Sequence, residues 1–238
     1  MNNASYAVLS RQAGLAREMT SIANNIANAS TTGFRSETHL FSEYIRKLGA
    51  GDLSVSQSNT AGRFFNAAPG ALVKTDGPLD FAIEGEGYFL IETPGGERLT
   101  RAGDFLFNRQ GELSTTEGFR VLSDGGAPIA TPIDTNNIVL AIDGTLSADG
   151  APIAKLAIVD ADPTTLTREG ASLFRYTEDV TPLETSRLRQ GYLESANVNS
   201  VAELGRMIEV QRAYELNQQL LRDEDDRITR TIESIQRQ

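Results

Sequence analysis

The amino-acid sequence predicts an α+β protein in which N- and C-terminal helices form a coiled-coil core and the middle of the chain forms an all-β domain. Apolar residues recur at heptad spacing near both ends of the 238-residue chain, and glycine-rich turns divide short apolar runs between them. The predicted segments are an N-terminal helical segment (1–48), an extended linker (49–69), a β-rich domain (70–190) and a C-terminal helical segment (191–238).

The N-terminal helix is predicted from apolar residues that share one helical seam. Their successive spacings are seven, four, three and four, which fits a heptad and not the alternation of a strand: Val8, Leu15, Met19, Ile22 and Ile26. Gly33 interrupts this pattern. A second apolar group predicts another short helix, and its members are Leu40, Phe41, Tyr44, Ile45 and Leu48.

Short apolar or alternating runs between glycine-containing turns predict the strands of the middle domain. The clearest candidates are residues 79–84, 88–92, 105–108, 119–122, 138–142 and 156–159. Turn signals such as Pro94-Gly95-Gly96 and Asp143-Gly144 separate them. Strands at this spacing are typical of an all-β domain.

The C-terminal helix is predicted from apolar residues at successive intervals of seven, which are Met207, Tyr214, Leu221, Ile228 and Ile235. Asn197 and Asn199 are the candidate N-caps before this helix. Helices of this kind gain most of their stability from packing, so each end of the chain needs an apolar partner. Pattern alone leaves two arrangements equally open: the helices cover the sheet of their own chain, or they pair and pack against further copies.

Composition excludes several classes of function. The formal net charge is −10 and basic residues are not clustered, which argues against nucleic-acid binding and against a polybasic membrane anchor. The chain has no Cys, which excludes disulfides, thiolate metal sites and cysteine nucleophiles. No apolar run is long enough for a transmembrane helix, and the first residues lack the pattern of a cleavable signal peptide.

Candidate catalytic and metal-binding patterns do not meet the requirements of their chemistry. Gly85-Glu86-Gly87 opens like a dinucleotide fingerprint, but Leu90 stands where the third glycine belongs. The acidic run 223–226 lies on a predicted helix, where consecutive side chains point about 100° apart and cannot converge on one ion. His39 is the only histidine, and no nucleophile elbow accompanies it. We therefore expect no enzyme, no cofactor and no metal.

Three segments carry a family resemblance. Residues 25–35 meet every defined position of the pattern Asn-x-Ala-Asn-x-x-Thr-x-Gly-Phe-Lys/Arg. A second signature lies at residues 191–200 and continues through 211–215, with Ala196 in place of the usual Ser and Leu204 in place of a common Met. The third segment runs from residue 77 to 105. Together these segments resemble the bacterial flagellar rod and hook protein family over nearly the whole chain.

The resemblance implies a structural subunit of the flagellar basal-body rod, which polymerises through its terminal helices into the axial drive shaft for motility. The helices are expected to form an inner coiled-coil tube and the middle domain an outer layer. Asn24, Asn25 and Asn28 are expected to set register by hydrogen bonds, with Gly33 breaking the helix before Phe34 docks. Residues expected at subunit interfaces are Val8, Leu15, Met19, Ile22, Asn24, Asn25, Ile26, Asn28, Gly33, Phe34, Leu204, Ile208, Gln211, Arg212, Tyr214, Leu221 and Ile228.

The partners implied by the resemblance are copies of the chain, other flagellar rod proteins and the flagellar export apparatus. Nucleic acid, small-molecule substrates and membrane insertion are not expected. The expected location is the periplasmic rod of the basal body, reached by type III export without a cleavable signal peptide.

Within the family, length and the short segment after Leu48 favour the proximal-rod branch, with the distal-rod branch as the alternative. A hook protein carries an additional outer domain, for which this chain has no room. The alternative from another functional class is a β-rich cell-wall hydrolase that uses the carboxylates Asp80, Glu84, Glu86 and Asp104.

Overall fold

The computed structural model describes residues 3–46, 55–132, 135, 137–178, 180–183 and 186–236. A helix lies near each end of this part of the chain: α1 (Asn3–Ala27) and α2 (Ser200–Gln236). The chain divides into two compact units. The helical unit comprises Met1–Ala27, Glu37–Phe65 and Asn199–Gln238, and the β unit comprises Asn28–Ser36 and Asn66–Val198.

All strands of the described residues lie between the two helices, so the chain is α+β as predicted. In chain order they are β1 (Glu37–Arg46), β2 (Val55–Phe65), β3 (Leu72–Lys74), β4 (Phe81–Glu84), β5 (Tyr88–Thr93), β6 (Gly96–Thr100), β7 (Phe105–Phe107), β8 (Leu113–Thr115), β9 (Arg120–Val121), β10 (Ile138–Leu140), β11 (Thr145–Ala148), β12 (Ala151–Lys155), β13 (Ile158–Asp160), β14 (Thr167–Glu169), β15 (Leu173–Arg175), β16 (Thr181–Pro182), β17 (Arg187–Gln190) and β18 (Tyr192–Glu194). The two units cut across the four predicted segments, because β1 and β2 belong with the helices.

The two helices pack side by side and antiparallel in the helical unit. The side-chain amide of Asn25, near the end of α1, donates to Glu203 near the start of α2 at 3.3 Å. The side-chain amide of Asn217, in the middle of α2, donates to the carbonyl of Val8 at 2.9 Å. The chain directions of α1 and α2 are therefore opposed.

The start of α2 is set by one of the two predicted caps. Asn199 Oδ1 accepts the backbone N–H of Ala202 at 3.1 Å, which satisfies a donor that the helix itself leaves free. The carbonyl of Asn199 also accepts the N–H of Glu203 at 3.0 Å. Asn199 is the N-cap, and Asn197 has a different role.

The strands β1 and β2 form an antiparallel hairpin that packs against α1. Its register runs from Glu37 opposite Phe65 to Arg46 opposite Val55, with a bulge between Leu40 and the next residue. A two-stranded hairpin is marginal on its own in water, and contact with α1 supplies the support it needs.

The structure contradicts the short helix predicted from Leu40, Phe41, Tyr44, Ile45 and Leu48. The first four of these residues lie in β1, and Leu48 lies outside the described residues. A short apolar run fits both a helical and a strand period, and pairing with β2 satisfies backbone groups that a short helix leaves free at its ends. Residues 55–65, expected in the linker, supply that pairing as β2.

The β unit is built around one large antiparallel sheet. Its strand order is β14-β15-β6-β5-β9-β8-β7, with β13 joined to β5 and β16 to β13. The unit also contains the three-stranded sheet β10-β11-β12 and the pairs β4–β17 and β3–β18. Because β17 and β18 come last in the unit and β3 and β4 come first, its two chain ends are hydrogen-bonded together.

The core of the β unit is one apolar cluster. Phe89 and Phe105 meet edge to face with ring centroids 5.2 Å apart, and burial of each such ring contributes about 2–3 kcal/mol. Each of the six predicted strand segments overlaps a strand of this unit: β4, β5, β7, β9, β10 and β13. Members of the core include Phe81, Ile83, Phe89, Ile91, Phe105, Leu113, Val121, Leu146 and Leu156.

Candidate assembly site

The inner face of α2, which meets α1, follows the predicted heptad. Met207, Tyr214 and Leu221 are half-buried on this face. Val210 and Asn217 fall between them in the repeat and are only 6% and 4% exposed. The seven-residue spacing therefore predicts the correct face of α2, and the intervening row completes an ordinary two-position seam.

The predicted seam of α1 is enclosed to different degrees. Ile22 is buried, whereas Val8, Leu15, Met19 and Ile26 are half-buried. The half-buried residues retain accessible apolar surface that α2 and the hairpin leave uncovered.

Asn25 lies on α1, is buried in the helical unit and forms hydrogen bonds to strand β1. Its Oδ1 accepts the N–H of Glu37 and its Nδ2 donates to the carbonyl of Glu37, both at 2.9 Å. The same Nδ2 donates to Oε1 of Glu203. An unpaired buried group of this kind costs about 1–3 kcal/mol, so these bonds hold α1, β1 and α2 in one register.

The other two signature asparagines lie outside this interior. Asn24 is exposed on α1. Asn28 begins the turn after α1, where its carbonyl accepts the N–H of Thr31 at 3.0 Å and its Oδ1 accepts the Thr31 hydroxyl at 3.2 Å. Asn28 thus stabilises the turn that ends the helix.

A second apolar row lies on the outer face of α2, turned away from the inner face. Val201, Leu204 and Ile208 are 80%, 52% and 50% exposed, and Leu216 and Leu220 extend the row. Spacings of three, four and eight residues keep the first four on one side of the helix. Soluble proteins rarely leave such a row uncovered, so the outer face is a candidate interaction surface.

The remaining predicted interface residues of α2 divide between its two faces. Gln211 and Arg212 are exposed, and Ile228 is 40% exposed. Tyr214 and Leu221 belong to the inner face already described. The predicted set therefore mixes an inner seam within one chain with an outer surface open to solvent.

Gly33 occupies a position in the β unit that only glycine fits. Its φ is +67°, and a Cβ there would lie 2.4 Å from the backbone of Arg101 and Ala102. Its N–H donates to the carbonyl of Glu194 at 2.8 Å. Phe34 follows with 1% exposure. Both residues are enclosed by their own chain, so they shape the fold and offer no surface to a neighbour.

A buried ion cluster, comprising Arg35, Arg101 and Glu194, lies beside Gly33 in the β unit. Arg35 Nη2 is 2.9 Å from Glu194 Oε1, and Arg101 Nη1 is 2.9 Å from Glu194 Oε2. All three side chains are at most 3% exposed. Arg101 and Glu194 are 93 positions apart, so no local pattern in the sequence could predict this pairing.

Aromatic rings stack on the cations of this region. The guanidinium of Arg168 lies 4.3 Å from the centroid of the Phe34 ring, and that of Arg101 lies 5.5 Å from the centroid of the Tyr88 ring. Such contacts contribute about 0.5–2 kcal/mol when water is excluded. Arg168 also donates to the carbonyl of Arg35.

Asn197 ties three chain segments of the β unit together. Its Oδ1 accepts the N–H of Ser36 at 2.6 Å, and its Nδ2 donates to the carbonyls of Asn66 and Ala68 at 2.9 and 2.8 Å. Its backbone N–H donates to the carbonyl of Phe34 at 3.1 Å. This is why Asn197 does not cap α2.

Two of the four carboxylates considered for hydrolysis lie close together, because Asp80 and Asp104 are partners in a β-bridge. Glu84 is engaged with Arg189 at 3.0 Å on the surface, and Asp80 accepts the Thr75 hydroxyl at 2.5 Å. Burial raises the pKa of Asp104, and the nearby carboxylates of Glu117 and Asp80 raise it further. Within the same residues, no group of three or more metal-ligating side chains could hold an ion.

Comparison with known proteins identifies the family. Residues 6–35 match the family of flagella basal body rod proteins, and residues 82–148 match the D1 domain of the flagellar hook proteins FlgE/F/G. Residues 189–233 match the C-terminal domain of the flagellar basal body rod FlgEFG proteins. The first and third of these ranges contain two of the segments that carried the resemblance, and the second overlaps most of the segment 77–105.

Relatives that match over most of the chain point to the same family. The flagellar basal-body rod protein FlgF of Mesorhizobium japonicum is 37% identical, with 93% of each chain covered. FlgF of Caulobacter vibrioides is 38% identical, with 90% of each chain covered. The chain belongs to the flagellar basal-body rod protein family. The predicted function as a structural protein of the basal-body rod is thereby confirmed.

Relatives named FlgG match at 28–32% identity, a range that also includes the FlgF of Escherichia coli at 30%. FlgG of Bacillus subtilis is 28% identical, with 93% of this chain and 94% of the relative covered. The FlgF names at 34–38% identity agree with the predicted proximal-rod branch. None of the described helices combines the length and the apolar character needed to cross a bilayer.

Proposed function

We propose that copies of this chain polymerise through the outer face of α2, and that together with other rod proteins they form the axial shaft of the flagellar rod. The observation that carries the proposal is the exposed row of Val201, Leu204, Ile208, Leu216 and Leu220. The inner face of α2 is already occupied by α1. The outer row therefore has no partner among the described residues, and a neighbouring helix of the same kind is its natural cover.

The unequal lengths of the helices support the same proposal. Val8 is level with Asn217, and antiparallel helices match residue for residue, so Asn3 is level with about residue 222. The remaining residues of α2 therefore extend about 20 Å past α1. The heptad continues along this extension through Ile228 and Ile235, which gives a further copy a seam to occupy.

In this proposal the predicted interface residues have two roles. The inner seam (Val8, Leu15, Met19, Ile22, Ile26, Tyr214 and Leu221) and Asn25 hold α1 on α2 within each chain. The residues proposed to contact neighbours directly are Leu204, Ile208, Gln211, Arg212 and Ile228, together with the exposed Asn24 on α1. Gly33, Phe34 and Asn28 contribute through the fold of the chain.

The proposal also covers how the chain reaches the rod and whether it catalyses a reaction. A rod subunit assembles outside the cytoplasm, so the flagellar export apparatus is its proposed partner in transit, without a cleavable signal peptide. The protein has no catalytic role, cofactor or small-molecule substrate in this proposal. Membership of a structural family supports that reading.

Substitution in the outer row tests the proposal. Because Ile208 is half exposed, Ile208→Asp should change the stability of the purified chain by less than about 0.5 kcal/mol, whereas burying the new charge against a neighbour should block assembly. The measurements are thermal unfolding of the purified protein, and swimming and negative-stain microscopy of basal bodies in a complemented deletion strain.

A matched control separates assembly from general surface effects. Ile142 is 68% exposed in the β unit, so Ile142→Asp changes a similar residue outside the proposed surface. We expect intact rods with Ile142→Asp and absent or truncated rods with Ile208→Asp. Normal swimming of the Ile208→Asp strain would contradict the proposal.

A further inference from the structure

The carboxylate of Glu194 joins segments that are distant along the chain. Its Oε1 lies 2.9 Å from Arg35 Nη2 and accepts the N–H of Gly70 at 2.8 Å, while its Oε2 accepts Arg101 Nη1 at 2.9 Å. The three partners come from the first residues of the β unit, the approach to β3 and the segment after β6. One side chain therefore bonds three segments that are distant from one another along the chain.

The two arginines depend on this carboxylate because they are buried with like charge. Nε of Arg35 and Nε of Arg101 are buried and have no hydrogen-bond partner among the described residues. Burial lowers the pKa of the Arg35 guanidinium, Glu194 opposes that effect, and the charge of Arg101 adds to it. A buried cation without its anion is strongly unfavourable, so the closed site requires Glu194.

Glu194 is the last residue of the cluster along the chain. It is the final residue of β18, and β18 pairs with β3 through Tyr192–Lys74 and Glu194–Leu72. The large sheet, which contains β5 and β6, is formed by residues that precede it. Arg101 follows β6 directly and donates to the carbonyl of Gly85 at 2.6 Å without any help from β18.

We propose that Glu194 is a closing latch of the β unit: docking of β18 delivers the one carboxylate that allows Arg35 and Arg101 to be buried together. Before docking, the large sheet is formed while the site around Arg101 stays hydrated. When β18 docks, residues 33–35, the Gly70 segment and Arg101 lock in one step. Closure of the β unit then depends on segments from both ends of its chain. The proposal does not depend on whether copies of the chain assemble.

The test uses the purified full-length chain and the isosteric variant Glu194→Gln, which removes the charge and keeps the shape. The matched control is Glu84→Gln, because Glu84 pairs with Arg189 on the surface of the same unit with side chains 45% and 47% exposed. We expect the unfolding midpoint to fall by about 10 °C for Glu194→Gln and by less than about 3 °C for Glu84→Gln.

Amide exchange distinguishes a latch from general destabilisation. In Glu194→Gln the N–H groups of Gly33 and Gly70 should exchange about 100-fold faster, while those of Leu90 and Leu99 in the large sheet change far less. Pulse-labelled refolding of the wild type should show Gly33 and Gly70 gaining protection together, after the sheet. If all four amides accelerate equally, or if Gly33 is protected before the sheet, the latch is wrong.

A charge-free variant keeps the proposal testable if Glu194→Gln fails to fold. Arg35→Met, Arg101→Met and Glu194→Gln combined remove every charge of the cluster at similar volume. We expect this triple variant to recover at least half of the lost unfolding temperature, or to restore folding. A triple variant no better than Glu194→Gln alone would show that unpaired buried charge is not the cause, and would overturn the proposal.

Discussion

The β unit and the helical unit differ in where their large apolar residues lie. In the β unit Phe81, Phe89 and Ile91 have no exposed surface, and the core closes within one chain. In the helical unit α2 encloses one apolar row against α1 and leaves the other, which includes Leu204 and Ile208, about half exposed. The difference teaches that the β unit is complete in a single copy, whereas the helical unit is complete only when something covers its outer face.

The buried polar groups of the two units also differ. The β unit buries a cluster of opposite charges, Arg35, Arg101 and Glu194, which require close to full pairing. The helical unit buries the neutral amides Asn25 and Asn217, whose hydrogen bonds specify register, and the carboxylate of Glu37.

The largest expected effect comes from charging the inner seam. Ile22→Asp places a carboxylate where exposure is 2%, and we expect the chain to lose about 3–5 kcal/mol of unfolding free energy. The loss should appear in helical circular dichroism during denaturant unfolding, with the β core retained. The control Leu9→Asp alters a residue of α1 that is 51% exposed and should change little. Equal behaviour of the two variants would refute an enclosed seam.

A smaller effect is expected from removing the amide that joins α1 to β1. Asn25→Ala leaves the N–H and carbonyl of Glu37 without their side-chain partner, so we expect a loss of about 1–3 kcal/mol. Exchange of the Glu37 amide proton should accelerate. Asn24→Ala, at an exposed neighbouring position, is the control. An unchanged Glu37 exchange rate in Asn25→Ala would mean that the hydrogen bonds are not formed in solution.

The smallest expected effect is on how the stability of the β unit depends on pH. Burial raises the pKa of Asp104, and the carboxylates of Glu117 and Asp80 raise it further. The folded state therefore binds this proton more tightly than the unfolded state, so the stabilising contribution is present below the ordinary value of 3.8 and is lost as pH rises through the raised pKa. Asp104→Asn should be more stable than the wild type at neutral pH, with the advantage vanishing in acid.

The pKa of Asp162 is shifted in the opposite direction, so Asp162 serves as the control for the Asp104 prediction. The N–H and hydroxyl of Thr164 donate to its carboxylate and lower its pKa. The stabilising contribution of Asp162 is therefore present at neutral pH and lost as pH falls through the lowered pKa. Asp162→Asn should reduce stability at neutral pH. Thermal unfolding of Asp104→Asn and Asp162→Asn across the acidic pH range measures whether stability changes in these two opposite directions.

Features that depend on neighbours in the sequence were predictable. The inner face of α2 follows from the spacing of Met207, Tyr214 and Leu221, and its cap follows from Asn199, because both are set within one or two helical turns. The strands of the β unit follow from apolar runs between glycine turns. The break in α1 was predicted at Gly33, but the helix ends earlier, at Ala27. Gly33 does have the backbone conformation that was expected of it, one that other residues resist, because its φ is positive.

Features that depend on distant residues were not predictable from these patterns. The residues of β1 fit a short helix until β2 is placed beside them, since the pairing energy comes from a separate segment of the chain. Arg35 and Glu194 were visible only as members of two signatures, because an ion pair over such a separation leaves no periodic trace. Exposure of the outer row on α2 likewise becomes visible only once α1 has occupied the opposite face.

The double hydrogen bond between Asn25 and Glu37 also has a mechanical consequence. Its two bonds run from one side chain to one backbone residue, so a shear along α1 loads them in parallel and they must rupture together. Bonds arranged in series would open one at a time under the same load. In the proposed shaft, torque transmitted along α1 would pass to the hairpin through both bonds at once.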